Sequence, residues 1–194
     1  MCRLFSCCLT TIVLGFGIFA AGKPAFAADD YAFDPVHSSV SFKARHLDIS
    51  WIHGRFNEVS GNFSLDRENA AKSTFVLSIK AESVDTGNKG RDEHLRQPDY
   101  FDTKQFPTID FKSTSVKAAK GGYEVTGDFT MHGKTQKISF VVEGGKEIEF
   151  MGTKRTGFST ELKVKRSDYG FDKKNIGLIG DEALIDIDFE GTRK

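Results

Sequence analysis

Downstream of residue 28 the chain alternates apolar and polar side chains almost one by one, and this period of two restricts the fold more than any motif. In SSVSFKARH, Val40, Phe42 and Ala44 share one face while Ser39, Ser41, Lys43 and Arg45 share the other. The pattern returns with Phe63 and Leu65, with Phe75, Leu77 and Ile79, and with Ile109 and Phe111. It continues through Tyr123, Val125, Phe129 and Met131, then Ile138, Phe140 and Val142, then Phe158, Leu162 and Val164, and closes with Ala183, Ile185, Ile187 and Phe189. Half-polar strands need one wet and one dry face, which is the arrangement of antiparallel sheet. Gly121–Gly122, Gly133–Lys134, Gly144–Gly145 and the stretch from Asp168 to Gly170 punctuate them as turns.

About eight such strands pack as two sheets or close into a barrel, and closure removes the free edges that invite aggregation. A barrel of this size either fills itself with side chains or holds one small ligand, and periodicity does not choose between them. One interval departs from the pattern. Thr86 to Pro107 carries a short helical stretch over about Asn88 to Arg96, ended by Pro98, with Tyr100, Phe101 and Phe106 adding bulk outside any strand. It reads as a lid over one barrel end or as a connection packed outside. No repeat or inter-domain linker interrupts the chain, so residues 28–194 read as one domain.

Residues 1–27 read differently. Arg3 precedes the apolar run LFSCCLTTIVLGFGIFAAG, and Ala25 and Ala27 supply an A-x-A-like cleavage pattern, so a signal peptide cut near Ala27 is expected. A membrane anchor of marginal length is the alternative. Cys2, Cys7 and Cys8 all lie in this segment, so the cut chain would hold no thiol nucleophile, thiolate metal site or disulfide. Removing Arg3 and Lys23 leaves 25 basic against 27 acidic residues, interspersed, with no basic stripe for nucleic acid. Fourteen of the 18 phenylalanines remain, a large supply of rigid apolar surface.

Motifs for catalysis are scarce. His37, His46, His53, His94 and His132 form no metal-ligand spacing, and neither a nucleophile elbow nor a dinucleotide-binding glycine motif is present. No metal and no cofactor are expected, and an enzyme is not the favoured reading. In TMHGKT, with Met131 facing in, His132 should project outward before Gly133, so a hairpin turn with His132 on the wet side explains the segment without chemistry.

The motifs together resemble the YceI family, periplasmic lipocalin-like proteins associated with polyisoprenoid binding. The likeness rests on YAFDPVHSSVSFKARHL from Tyr31 to Leu47, on GRFNEVSGNF from Gly54 to Phe63, and most distinctively on RDEHLRQPDYFDTKQFPTIDFKST from Arg91 to Thr114. GDFTMHGKTQKISFVV, GFSTELKVKRSDYGF and GDEALIDIDFEG complete it, in order, across nearly the whole domain. The resemblance implies an all-β, eight-stranded antiparallel lipocalin-like barrel with a short helical lid. It also implies a long apolar cavity entered near that lid, export to the periplasm or beyond, and a long isoprenoid or quinone-type ligand.

On that basis the expected cavity residues are Phe42, Phe63, Phe75, Leu77, Ile79, Phe111, Phe129, Phe140, Phe158, Leu162 and Ile187. Trp51, Ile52, Leu95, Tyr100 and Phe101 are expected at the mouth or lid. Such side chains suit a polyprenyl tail because they ask for no matched hydrogen bonds. The partner is then a long apolar lipid, with transient membrane contact and a homodimer left open. Two other readings stand beside this one: a solid barrel serving as an interaction module, and an enzyme on a bound lipid or quinone using His46, His53 or His94.

Overall fold

The computed structural model describes residues 28–171 and 177–194; the expected signal peptide and the cut at Ala27 lie outside them. Eleven strands form one sheet: β1 Asp29–His46, β2 Ser50–Phe56, β3 Val59–Leu65, β4 Thr74–Lys80, β5 Val84–Asp85, β6 Thr108–Ala119, β7 Gly122–Met131, β8 Lys134–Gly144, β9 Ile148–Phe150, β10 Thr153–Lys165 and β11 Ile179–Arg193. Following hydrogen-bonded neighbours from β11 through β10, β8, β7, β6, β4 and β3 leads to β1, which pairs back onto β11 and closes an eight-stranded antiparallel barrel. β2 and β3 act as two halves of one bent wall strand, since both pair with β1, on either side of a register break between Asp34 and Ser39. β5 adds to the edge of β2, and β9 pairs with β10 outside the ring.

The alternation places its apolar members inside, with Val40, Phe63, Ile79, Val116, Val125 and Val142 all buried in one core. Closure is uneven. Where most ladders run for many residues, β8 and β10 are in register only at Gly144 with Phe158 and Glu143 with Ser159. Towards the other end Thr160 Oγ1 of β10 donates to Val141 O of β8 at 2.7 Å, and Gln136 Nε2 of β8 donates to Asp168 O, in the 3-10 turn that follows β10, at 3.2 Å.

One end of the barrel is plugged. Phe63 stacks on Tyr31 at 4.9 Å and meets Phe158 and Phe189 edge-on at 5.7 and 5.6 Å. Gly191 leaves room for that ring, because a Cβ there would sit 2.5 Å from it. Beneath the rings, Tyr31 Oη donates to Glu147, Arg67 donates to Gly145 O at 2.8 Å, and Lys154 and Arg193 flank the Glu147 carboxylate. Burial and the Glu147 bond raise the Tyr31 pKa, and the same bond lowers that of Glu147.

The other end carries the interval without alternation. α1, Lys89–Leu95, is capped by Asn88, whose side chain accepts from Arg91 N at 3.0 Å. Buried Asp92 accepts from Thr86 N at 2.8 Å and Thr86 Oγ1 at 2.5 Å, and Arg96 donates to the carbonyls of Glu82 and Val84. These bonds hold the segment against the barrel, and Phe101 packs edge-on between Phe56 and Phe171, each at 5.5 Å. Among the described residues no helix is long and apolar enough to cross a membrane.

Candidate functional site

Strand parity builds the site. Between register breaks the inward residues of each wall strand come mainly from one parity class, which switches at the breaks in β1 and β6, and their side chains surround a cavity of about 180 Å³. Near the plug the inward side chains meet one another and are buried. Above it, inward-facing Phe42 on β1, Leu77 on β4, Ile138 and Phe140 on β8, and Ile185 on β11 stay only partly buried, because they face the void. Gly54 widens the wall: a Cβ there would lie 2.3 Å from the Phe42 ring, which leans across it. The wall is almost wholly apolar, as an uncharged tail requires.

Fourteen of the sixteen residues expected at the site line this cavity: Phe42, Ile52, Phe63, Phe75, Leu77, Ile79, Leu95, Tyr100, Phe101, Phe111, Phe129, Phe140, Leu162 and Ile187. Two do not. Trp51 and Ile52 are consecutive residues of β2 and point to opposite faces, so with Ile52 inward Trp51 lies outside, under Lys43 and Arg45 at 5.8 and 5.1 Å. Phe158 faces inward, but too deep: it packs among Phe75, Phe189 and Tyr123 in the plug.

Polar groups reach the wall mainly at the end bearing α1. Arg91 is held there by Thr86, donating to Oγ1 at 2.7 Å and O at 2.9 Å. Arg166 is more unusual. It is 8 % exposed, donates Nε to Gly180 O at 2.9 Å and Nη2 to Ile179 O at 2.6 Å, and has no carboxylate within ion-pair distance among the described residues. Burial lowers its pKa, with Asp181 and Tyr100 acting in the opposite direction. Asp181 itself accepts from Ser167 N and Oγ. Arg166 was missed in the sequence, yet a signal existed: it extends the inward parity of Thr160, Leu162 and Val164 along β10 and just past it.

The histidines separate. His94 lines the cavity, bonded to Asp99 at 2.9 Å and edge-on to Tyr100 at 4.8 Å. His53 is exposed on the outer face of β2, and His46 is not on the cavity wall. His132 corrects the expectation of a wet position. It does form the turn, with φ of 50° followed by 70° at Gly133, but its ring is half-buried between Phe106 at 4.8 Å and Phe171 at 5.1 Å, and its Nδ1 pairs with Tyr169 O at 3.1 Å. The β7–β8 turn tucks under the lid segment, which the local pattern does not encode. Away from the cavity, Asp34, His37 and Glu190 bring potential ligand atoms within 4.8 Å of one another, but Arg155 already donates to Asp34 at 2.8 Å.

Comparison with known proteins agrees with this architecture. A YceI-like domain model matches residues 31–191. A UPF0312 protein of Photorhabdus laumondii is 37% identical over 188 residues, covering 95% of this chain and 97% of that protein. The crystal structure of the Campylobacter jejuni YceI protein aligns with a TM-score of 0.69 and 32% identity, over 77% of this chain and 90% of that one. A polyisoprenoid binding domain from Saccharophagus degradans, implicated in plant cell wall breakdown, shares the fold with a TM-score of 0.63 at 20% identity, over 84% of this chain and 98% of that domain.

Proposed function

The chain belongs to the YceI-like family, and from that premise we propose that it binds the apolar tail of an isoprenoid-type lipid inside its barrel, as a carrier or sequestering protein of the periplasm. The observation that carries this reading is a group of inward side chains that pack on the core yet stay only partly buried around one apolar cavity. A filled barrel would bury Phe42, Leu77, Ile138, Phe140 and Ile185 completely, and here they line that cavity.

Magnitudes support a tail over a polar metabolite. At ~15 Å³ per water-sized group, 180 Å³ accommodates about a dozen such groups, or two to three isoprene units. Each CH₂-sized group taken from water contributes about 0.8 kcal/mol, so even this length offsets typical ordering and association costs. A longer tail would extend past α1, where Arg91, Tyr100 and Arg166 offer N–H and O–H donors to a head carrying carbonyl or phosphate oxygens.

The test is native purification followed by solvent extraction and mass spectrometry. An isoprenoid in stoichiometric amount is expected. Absence of any lipid, together with no saturable uptake of added prenyl compounds, would overturn the proposal.

A further inference from the structure

At the end of the barrel bearing α1, the β1–β2 turn places a leucine where its backbone disfavours one. Ile49 N donates to His46 O at 3.0 Å, and the two residues between them, Leu47 and Asp48, hold φ of 50° and 56°. Such a turn favours Asn, Asp or Gly, because other side chains in the left-handed region crowd their own backbone, so Asp48 suits its position and Leu47 does not. The backbone strain is held at a place where it presents apolar groups to solvent: Leu47 is 47% exposed and Ile49 79%. Leu47 N donates to Leu178 O at 2.8 Å, and Leu178, itself 55% exposed, extends the same patch. Behind this tip sits Trp51, half-exposed, with the cations of Lys43 and Arg45 over its ring.

The patch lies at the mouth end of the barrel, on the outer side of its wall. Lys43, Arg45 and Trp51 occupy the outer faces of the two strands whose inner faces carry Ala44 and Ile52, and Leu178 directly precedes the wall residue Ile179. Leu47 and Ile49 flank Asp48 at the tip, where the Asp48 carboxylate is paired with Arg45 at 3.2 Å; with an indole behind them and the Lys43 cation at the edge, these groups match the depth profile of a lipid–water boundary. We propose that this turn docks on a phospholipid bilayer and sets the cavity mouth against it, so that a tail passes between membrane and barrel without crossing water. The inference rests on the lipid-binding reading above and names the partner of that site. A protein surface would not need the mouth beside it, and an insoluble guest has to load from a lipid phase.

The experiment uses protein expressed from its full-length gene, vesicles of phosphatidylethanolamine and phosphatidylglycerol, and the single tryptophan as reporter. Wild-type protein should float with the vesicles, and Trp51 emission should shift to the blue. The double variant Leu47→Asn, Ile49→Ser places a turn-favouring residue at the strained position and removes both tip side chains. It should keep its melting temperature and its uptake of a fluorescent farnesyl probe in vesicle-free buffer, and lose about tenfold or more in vesicle partition. Its rate of probe transfer between vesicles should lose the dependence on acceptor-vesicle concentration that wild type shows. Undiminished partition of the double variant, or no vesicle binding by wild type while farnesyl uptake persists, would overturn the docking proposal and leave the binding function standing. Vesicle binding with no farnesyl uptake by either protein would overturn the binding function instead. Capture of a protein partner in place of vesicle binding also counts against docking on lipid.

Discussion

Replacing Leu77 with Trp tests the hollow barrel most directly. Leu77 sits mid-wall on β4, opposite Gly61 of β3 and Phe111 of β6, and its side chain borders the void. The indole adds roughly six heavy atoms, which at ~15 Å³ each take up about half of the 180 Å³. A bound tail then loses about six CH₂-sized contacts at ~0.8 kcal/mol each, an upper bound near 5 kcal/mol, because the tail can slide outward. Recovering part of that by sliding leaves an expected weakening of about a hundredfold or more in Kd for a farnesyl or geranylgeranyl probe. The fold should not suffer. In a filled core the same substitution costs about 1–3 kcal/mol through overpacking, whereas filling a void leaves the urea midpoint unchanged or raised. Probe titration and urea denaturation of one preparation read both effects. Wild-type affinity in a well-folded variant would refute the assignment of the ligand to this cavity. A loss of several kcal/mol in stability would refute the claim that the barrel is hollow.

Phe63→Ala removes the ring at the centre of the plug, 2 % exposed and touching Tyr31, Phe75, Phe158 and Phe189, and should lower stability by about 3–5 kcal/mol in urea denaturation. The Asp34 carboxyl is held down at about 2 from an ordinary 3.8, first by its hydrogen bond to His37 and then by Val36 N–H and the Arg155 guanidinium, against the opposing effect of burial. A depressed carboxylate adds stability above its unfolded-state value and loses it as pH falls towards the folded one. The stability gap between wild type and Asp34→Asn should therefore be full near neutrality and shrink as pH drops from 3.8 to about 2; a pH-independent gap would contradict this. Arg166→Met should leave uptake of a headless polyene hydrocarbon unchanged. It should weaken a prenyl phosphate or prenyl quinone by about tenfold, as expected for a lost charge-assisted hydrogen bond, with both measured by competition against the same probe.

Parity made most of the wall legible in the sequence. Val40, Phe42 and Ala44 on β1 and the even-numbered residues of β10 can be assigned to the interior before any coordinate is known, because a one-residue slip would turn every side chain to the wrong face. Applied strictly, the same rule separates Trp51 from Ile52 and brings in Arg166. Depth along the barrel is another matter. Phe158 and Leu162 have the same parity, and only the tilt and stagger of the strands put one in the plug and the other on the void. His132 escaped for a third reason. Its turn is a local matter, but the partners that half-bury it come from distant segments, Phe106 from the lid and Phe171 from just past β10.

The short ladder between β8 and β10 makes the barrel a hoop with a clasp. In a barrel whose ladders are all complete, strand number and stagger fix the girth, and widening it would break a full row of backbone bonds. Here, among the described residues, two register pairs, the Gly145 N–Gly157 O bond at 2.9 Å and two side-chain bonds join the margins, so fewer backbone bonds oppose widening there than along the long ladders. Ile138 and Phe140 on one margin and Leu162 on the other face the void at that clasp. On the proposed lipid-binding reading, the bulk of these three side chains would help set the thickness of tail the barrel admits.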